Sequence, residues 1–126
     1  MSKAPQWAED LMLEALKYGG SKKKPKLIWR ESKVKIHTSG HCTYDRSKIC
    51  VTTGSDTFQH KMVILHEVAH VLCDVKEHHG IQFWRTALDL YTHFGLDMAK
   101  VLHRERWSKE CKKQYDRMTR TETGEI

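Results

Sequence analysis

The stretch that decides the fold is Phe58-Gln59-His60-Lys61-Met62-Val63-Ile64-Leu65-His66-Glu67-Val68-Ala69-His70-Val71-Leu72-Cys73. Its apolar residues, Val63, Ile64, Leu65, Val68, Val71 and Leu72, cover most of a helical surface, so the spacing predicts a largely buried helix over residues 58–73. Asp56 or Thr57 is the expected N-cap. Set into this helix are His66, Glu67 and His70, residue types that carry a heavy desolvation penalty in a buried helix unless something partners them. Four residues advance a helix by about 40° past a full turn and roughly 6 Å along its axis, which puts both imidazoles on one face. Both can then reach one ion.

Zinc takes histidine nitrogens at roughly 2.0 to 2.1 Å, and a hydrolytic zinc site fills three positions with protein and keeps the fourth for water. Glu67 follows the first histidine and turns toward the flank of such a site. Zinc lowers the pKa of water towards about 7, and a carboxylate placed there can take the proton during attack on a carbonyl and return it to the leaving amine. The pattern therefore assigns His66 and His70 as metal ligands and Glu67 as general base. The plainer alternative is a set of surface groups on the solvated face of an ordinary helix.

A third ligand has to come from the segment that follows, which offers Asp74, Glu77, His78 and His79. Asp74 shares the helix face, but a straight helix would carry it away from an ion held by the two preceding turns. His79 is the expected ligand, because Gly80 permits a tight reversal and Ile81, Phe83 and Trp84 begin an apolar face that can anchor the returning chain. His78 and Glu77 are the alternatives. His37, His41, His60 and His93 are read as non-ligands.

Working outward, residues 5–18 form an amphipathic pattern through Trp7, Leu11, Ala15 and Tyr18, ended by Gly19-Gly20. A lysine-rich loop leads to a strand at residues 26–31, which residues 34–38 extend or follow with another. Residues 41–44 and 48–52 flank Asp45-Arg46-Ser47 and read as an antiparallel hairpin. Beyond the central helix, Ile81, Phe83, Trp84, Ala87, Leu88, Tyr91 and Phe94 mark a helix up to Gly95. Residues 97–118 suggest one more, and 119–126 a frayed polar tail. The expectation is a single α+β domain over residues 1–126, with a small twisted sheet packed against the histidine-bearing helix.

At 126 residues, 39% hydrophobic and 9% aromatic, the composition is that of a globular domain. No run approaches the roughly 18 apolar residues of a membrane span, and no leader pattern opens the chain, so a cytoplasmic, monomeric protein without membrane contact is expected. Cys42, Cys50, Cys73 and Cys111 contain no C-x-x-C and read as reduced thiols, although Cys42 and Cys50 could face each other across the hairpin.

With the motifs in view, HEVAH at 66–70 followed by HHGIQFW at 78–84 resembles the SprT-like (Spartan-like) zincin metallopeptidases. In that family a later His-Gly followed by an aromatic supplies the third ligand, which maps onto His79-Gly80 with Phe83 and Trp84. The resemblance runs over about residues 26–95. It implies a zincin-like fold, a Zn2+ cofactor, hydrolysis of peptide bonds in a protein substrate, and an edge role for residues 48–53 in pairing with extended peptide. A metzincin would need glycine at Cys73 and histidine at Lys76, and the zinc-ribbon tail of the SprT type is missing. The chain is thus more similar to short zincins of phages and mobile elements. A glutamate-ligated relative, of the kind found in regulator-cleaving peptidases, would use Glu77.

The net charge is +6, and Lys17, Lys22, Lys23, Lys24, Lys26, Arg30, Lys33 and Lys35 stand against Glu31 alone. Solvated lysines are the plainer reading. DNA contact through the segment from Lys22 to Lys35 is the functional one, with Trp29 either stacking a base or buried in the core. The pattern leaves the oxyanion stabiliser open among Tyr91, His103, Arg104, Arg106 and Tyr115. Two other functions fit the same residues: a basic nucleic-acid-binding module with a structural zinc site, and a zinc amidase acting on a small peptide-like molecule.

Overall fold

The computed structural model describes residues 4–31, 39–53, 57–73 and 79–123. It is an α+β arrangement of five helices and one three-stranded mixed sheet, in the order α1 (Gln6–Tyr18), β1 (Lys26–Glu31), β2 (Ser39–Cys42), β3 (Lys48–Thr53), α2 (Thr57–Leu72), α3 (Ile81–His93), α4 (Met98–Arg104) and α5 (Lys109–Thr123). Residues 34–38, the alternative third ligands Asp74, Glu77 and His78, the N-cap candidate Asp56 and the side chain of Thr57, together with Lys33, His37 and Lys76, lie outside this description. Among the described residues no helix is long and apolar enough to cross a membrane.

The strands lie in the order β1-β3-β2. β1 runs parallel to β3, with Trp29 opposite Val51, while β2 runs antiparallel, with Gly40 opposite Val51 and Cys42 opposite Ile49. Residues 48–53, expected at an edge, therefore form the central strand with both sides already paired. The cause is sequence composition: Ile49 and Val51 are fully buried, and a β-branched apolar strand gains most where both flanks are covered. The edge beside α2 is β2 instead. The register also settles the cysteine pair, since Cys42 shares a face with Ile49 and Cys50 with His41, and alternation puts the two thiols on opposite faces. All four cysteines are free.

α2 runs through the middle of the molecule. Met62, Ile64, Leu65, Val68 and Ala69 are all buried, packing between the sheet, α1 and α3. α1 offers Ala8, Met12, Ala15 and Leu16 to that core. This stripe is rotated from the expected one: Trp7 and Tyr18 are partly exposed at the rim, and the small Ala8 and Ala15 let the helices approach closely. Both α1 and α3 end in Schellman motifs. Gly20 and Gly95 adopt positive φ, while Ser21 N–H donates to Leu16 O and Leu96 N–H to Tyr91 O, each at 2.9 Å.

The single helix expected over residues 97–118 is two helices. Asp97 caps α4 by accepting from the amides of Ala99 and Lys100. Glu105 ends it, and Ser108 starts α5 by accepting from the Cys111 amide at 3.1 Å. Both halves share an apolar period, so periodicity could not reveal the break. α5 continues past residue 119, where a frayed tail was expected to begin, as far as Thr123, and residues 124–126 lie outside the described residues. Gln114 locks α5 to α3, accepting from Arg85 Nε at 2.9 Å and donating to Glu110 Oε2 at 2.8 Å.

Candidate metal centre

His66 and His70 project from successive turns of α2, as their spacing requires. His79 comes back to them just before α3, anchored by the buried Phe83 and Trp84. His79 Nε2 is 3.2 Å from His66 Nε2 and 3.2 Å from His70 Nε2, and the three donor atoms all lie within 4.8 Å of one another. Ligands roughly 2.0 to 2.1 Å from a tetrahedral ion stand about 3.3 to 3.4 Å apart, close to the two 3.2 Å spacings made by His79. The cluster could hold a metal ion.

Behind His66 lies a support that the sequence did not disclose. Glu105 Oε2 is 3.0 Å from His66 Nδ1. The other carboxylate oxygen accepts from Trp107 Nε1 at 3.3 Å, and Tyr91 OH donates to Oε2 at 3.4 Å while lying 3.3 Å from His66 Nδ1. Burial disfavours the His66 imidazolium, but the hydrogen bond and charge of Glu105 outweigh it and hold the group above its ordinary value. A carboxylate on Nδ1 leaves the Nε2 lone pair directed at the cluster. A carboxylate partner for a metal-binding histidine is a signal one can look for. Here it was hidden in Arg104-Glu105-Arg106, which reads as a run of surface charge.

Glu67 is buried beside the triad, with 5% of its surface exposed. Burial pushes its carboxyl up to about 7, against the positive fields of His66 and Arg46, which lower it. A carboxyl poised near neutrality suits a group that both takes and gives a proton. It opens onto two adjoining hollows of about 350 and 310 Å3 that share Gly40, His66 and Glu67. The larger is walled by β2 and by Tyr44 and Arg46 of the hairpin turn, the smaller by Met62, Arg104 and Trp107. Gly40 makes this close approach possible. A Cβ there would stand 2.5 Å from Val63 Cγ1 and 2.8 Å from the Cys50 carbonyl oxygen.

The oxyanion candidates separate sharply. Tyr91 is fully buried behind His66, on the Nδ1 side, and so faces away from the donor cluster. His103 lines a different hollow with Phe58 and Lys100, and Arg106 donates to His103 O at 2.7 Å. Tyr115 packs against the core. Of the five, Arg104 lines a hollow containing Glu67. Arg46, read in the sequence only as a turn residue, lines the other.

The remaining histidines hold other posts. His60 lies between Trp7 and Trp29, with ring centroids 6.4 and 5.5 Å away, and His93 stacks on Tyr18 at 3.8 Å. His41 lines the larger hollow without joining the donor cluster. Trp29 is a core residue, which removes it as a base-stacking platform. No family model matches the chain, and no curated protein or solved structure matches it.

Proposed function

We propose that the protein is a zinc-dependent metallopeptidase of the SprT-like zincin type, with His66, His70 and His79 as ligands and Glu67 as general base. The observation that carries this reading is the convergence of three imidazole Nε2 atoms beside a buried carboxylate, at the floor of a cleft edged by a β-strand. Zinc bound there supplies Lewis acidity to water and to the peptide carbonyl. Glu67 takes the proton from the attacking water and passes it to the departing amine. Glu105 holds His66 in one tautomer and orientation. β2, whose described partner is β3 alone, offers the main-chain groups against which an extended peptide can lie.

The opening favours a working site over a structural one. A structural zinc is closed off by its protein ligands, whereas this donor cluster faces a cavity. The nucleic-acid module keeps one supporting observation, the exposure of Lys22, Lys23, Lys24, Lys26 and Arg30. Zinc content and protein cleavage of the wild type and Glu67→Gln decide between them. The peptidase reading requires both proteins to bind zinc and only the wild type to cleave. Equal cleavage, or none by either, rejects it.

A further inference from the structure

Arg46 is the one residue of the hairpin turn that is buried, with 9% of its surface exposed. It also holds the only positive φ outside glycine among the described residues, 62°. Asparagine or glycine would take that conformation at lower cost, so a strained arginine needs a reason beyond the turn. The turn is built to hold it. Arg46 N–H donates to Thr43 O at 2.9 Å, and Asp45 Oδ1 accepts from Thr43 Oγ1, Ser47 N–H and Ser47 Oγ.

The guanidinium is only partly satisfied. Its NH1 donates to Thr43 O at 3.2 Å, yet Nε is buried with no hydrogen-bond partner. The Cys42 thiol also hydrogen-bonds the Arg46 side chain, but burial pushes it up to about 11, so it brings no counter-charge. No carboxylate among the described residues forms an ion pair with Arg46. A buried cation without an ion-pair partner among the described residues thus lines the hollow that contains the three imidazoles and Glu67. The hollow has a volume of about 350 Å3.

We infer that Arg46 receives a carboxylate of the substrate, making the cleft selective for peptides that carry an acidic group next to the bond held at the metal site. This deepens the peptidase reading and rests on it. A guanidinium that lines the hollow without an ion-pair partner among the described residues offers the charge-assisted contact that carboxylates accept best. The carboxylate comes either from an Asp or Glu side chain or from the chain terminus. Oxyanion stabilisation is a different role, which would act on all peptides alike.

The test uses zinc-loaded Glu67→Gln protein, which should hold peptide without turnover, and four matched octapeptide libraries. Each has Glu or Gln at a fixed position and a free or amidated C-terminus. Arg46→Asn is the key variant, because asparagine tolerates positive φ and the Tm should stay within about 5 °C. Binding of the carboxylate-bearing libraries should be roughly tenfold tighter or more, absent in Arg46→Asn and partly kept in Arg46→Lys. Preference for Glu with both termini assigns the side chain; preference only for the free terminus assigns the chain end. A preference that survives Arg46→Asn, no preference in the Arg46 protein, or no binding of any library overturns the inference. Failure of the peptidase reading shows separately, as no cleavage of any library by the wild type.

Discussion

Glu105 Oε2 sits 3.0 Å from Nδ1 of His66, across 39 residues of sequence, and so the first imidazole of the α2 pair is held from behind by the turn that separates α4 from α5. The arrangement of the histidine cluster consequently depends on a segment far from the motif. Removing the carboxylate while leaving the shape, as in Glu105→Gln, should weaken metal binding by about 10- to 100-fold. Competition with a chelator of known affinity checks this, and unchanged affinity would detach Glu105 from the metal site.

His79 makes the two-histidine pair into a three-donor cluster, with 3.2 Å to each partner. His79→Ala should lose stoichiometric metal during dialysis while the apo protein keeps the helical circular dichroism of the wild type. His79 is exposed and contributes little to the core, so a collapse of the fold would contradict its placement.

Gly40 brings β2 against α2, and an added Cβ would meet the Cys50 carbonyl, a backbone atom with little freedom to move. Gly40→Ala should cost about 1 to 3 kcal/mol of stability, as overpacked sites do. Thermal or urea unfolding measures this. The strand should also shift outward, which on the peptidase reading lowers cleavage of protein substrates more than zinc content.

Ser108 starts α5 by accepting from the Cys111 amide. Ser108→Ala should destabilise the protein by about 1 kcal/mol, the usual cost of a lost cap. Trp107 stands next to it and reaches both Glu105 and His79, so its fluorescence should report any loosening of the turn.

Asp45 provides a pH test of the turn that carries Arg46. Hydrogen bonds from Ser47, then Thr43, lower its carboxyl from 3.8 to about 2. A folded-state value below the unfolded one means a stabilising contribution present above about pH 4 and lost as pH falls through 2. The Tm difference between wild type and Asp45→Asn should therefore be largest near neutrality and shrink towards pH 2. A difference that stays constant across this range would argue that the charge has no part in holding the turn.

Local chemistry carried far in this chain. The four-residue spacing of His66 and His70 sets both rings on one helical face whatever surrounds them, and Gly20 and Gly95 stop helices because a left-handed residue there costs glycine little. The α+β class, the helix spanning the motif and the hairpin around Asp45 rest on the same short-range rules. Tertiary structure decided what depends on partners distant in sequence: β3 at the centre with β2 at the edge, Glu105 behind His66, and Arg46 folded into the cleft. Side-chain periodicity says which face of an element is buried, but which element covers that face is chosen by the cooperative packing of the whole core, and no local pattern records that choice.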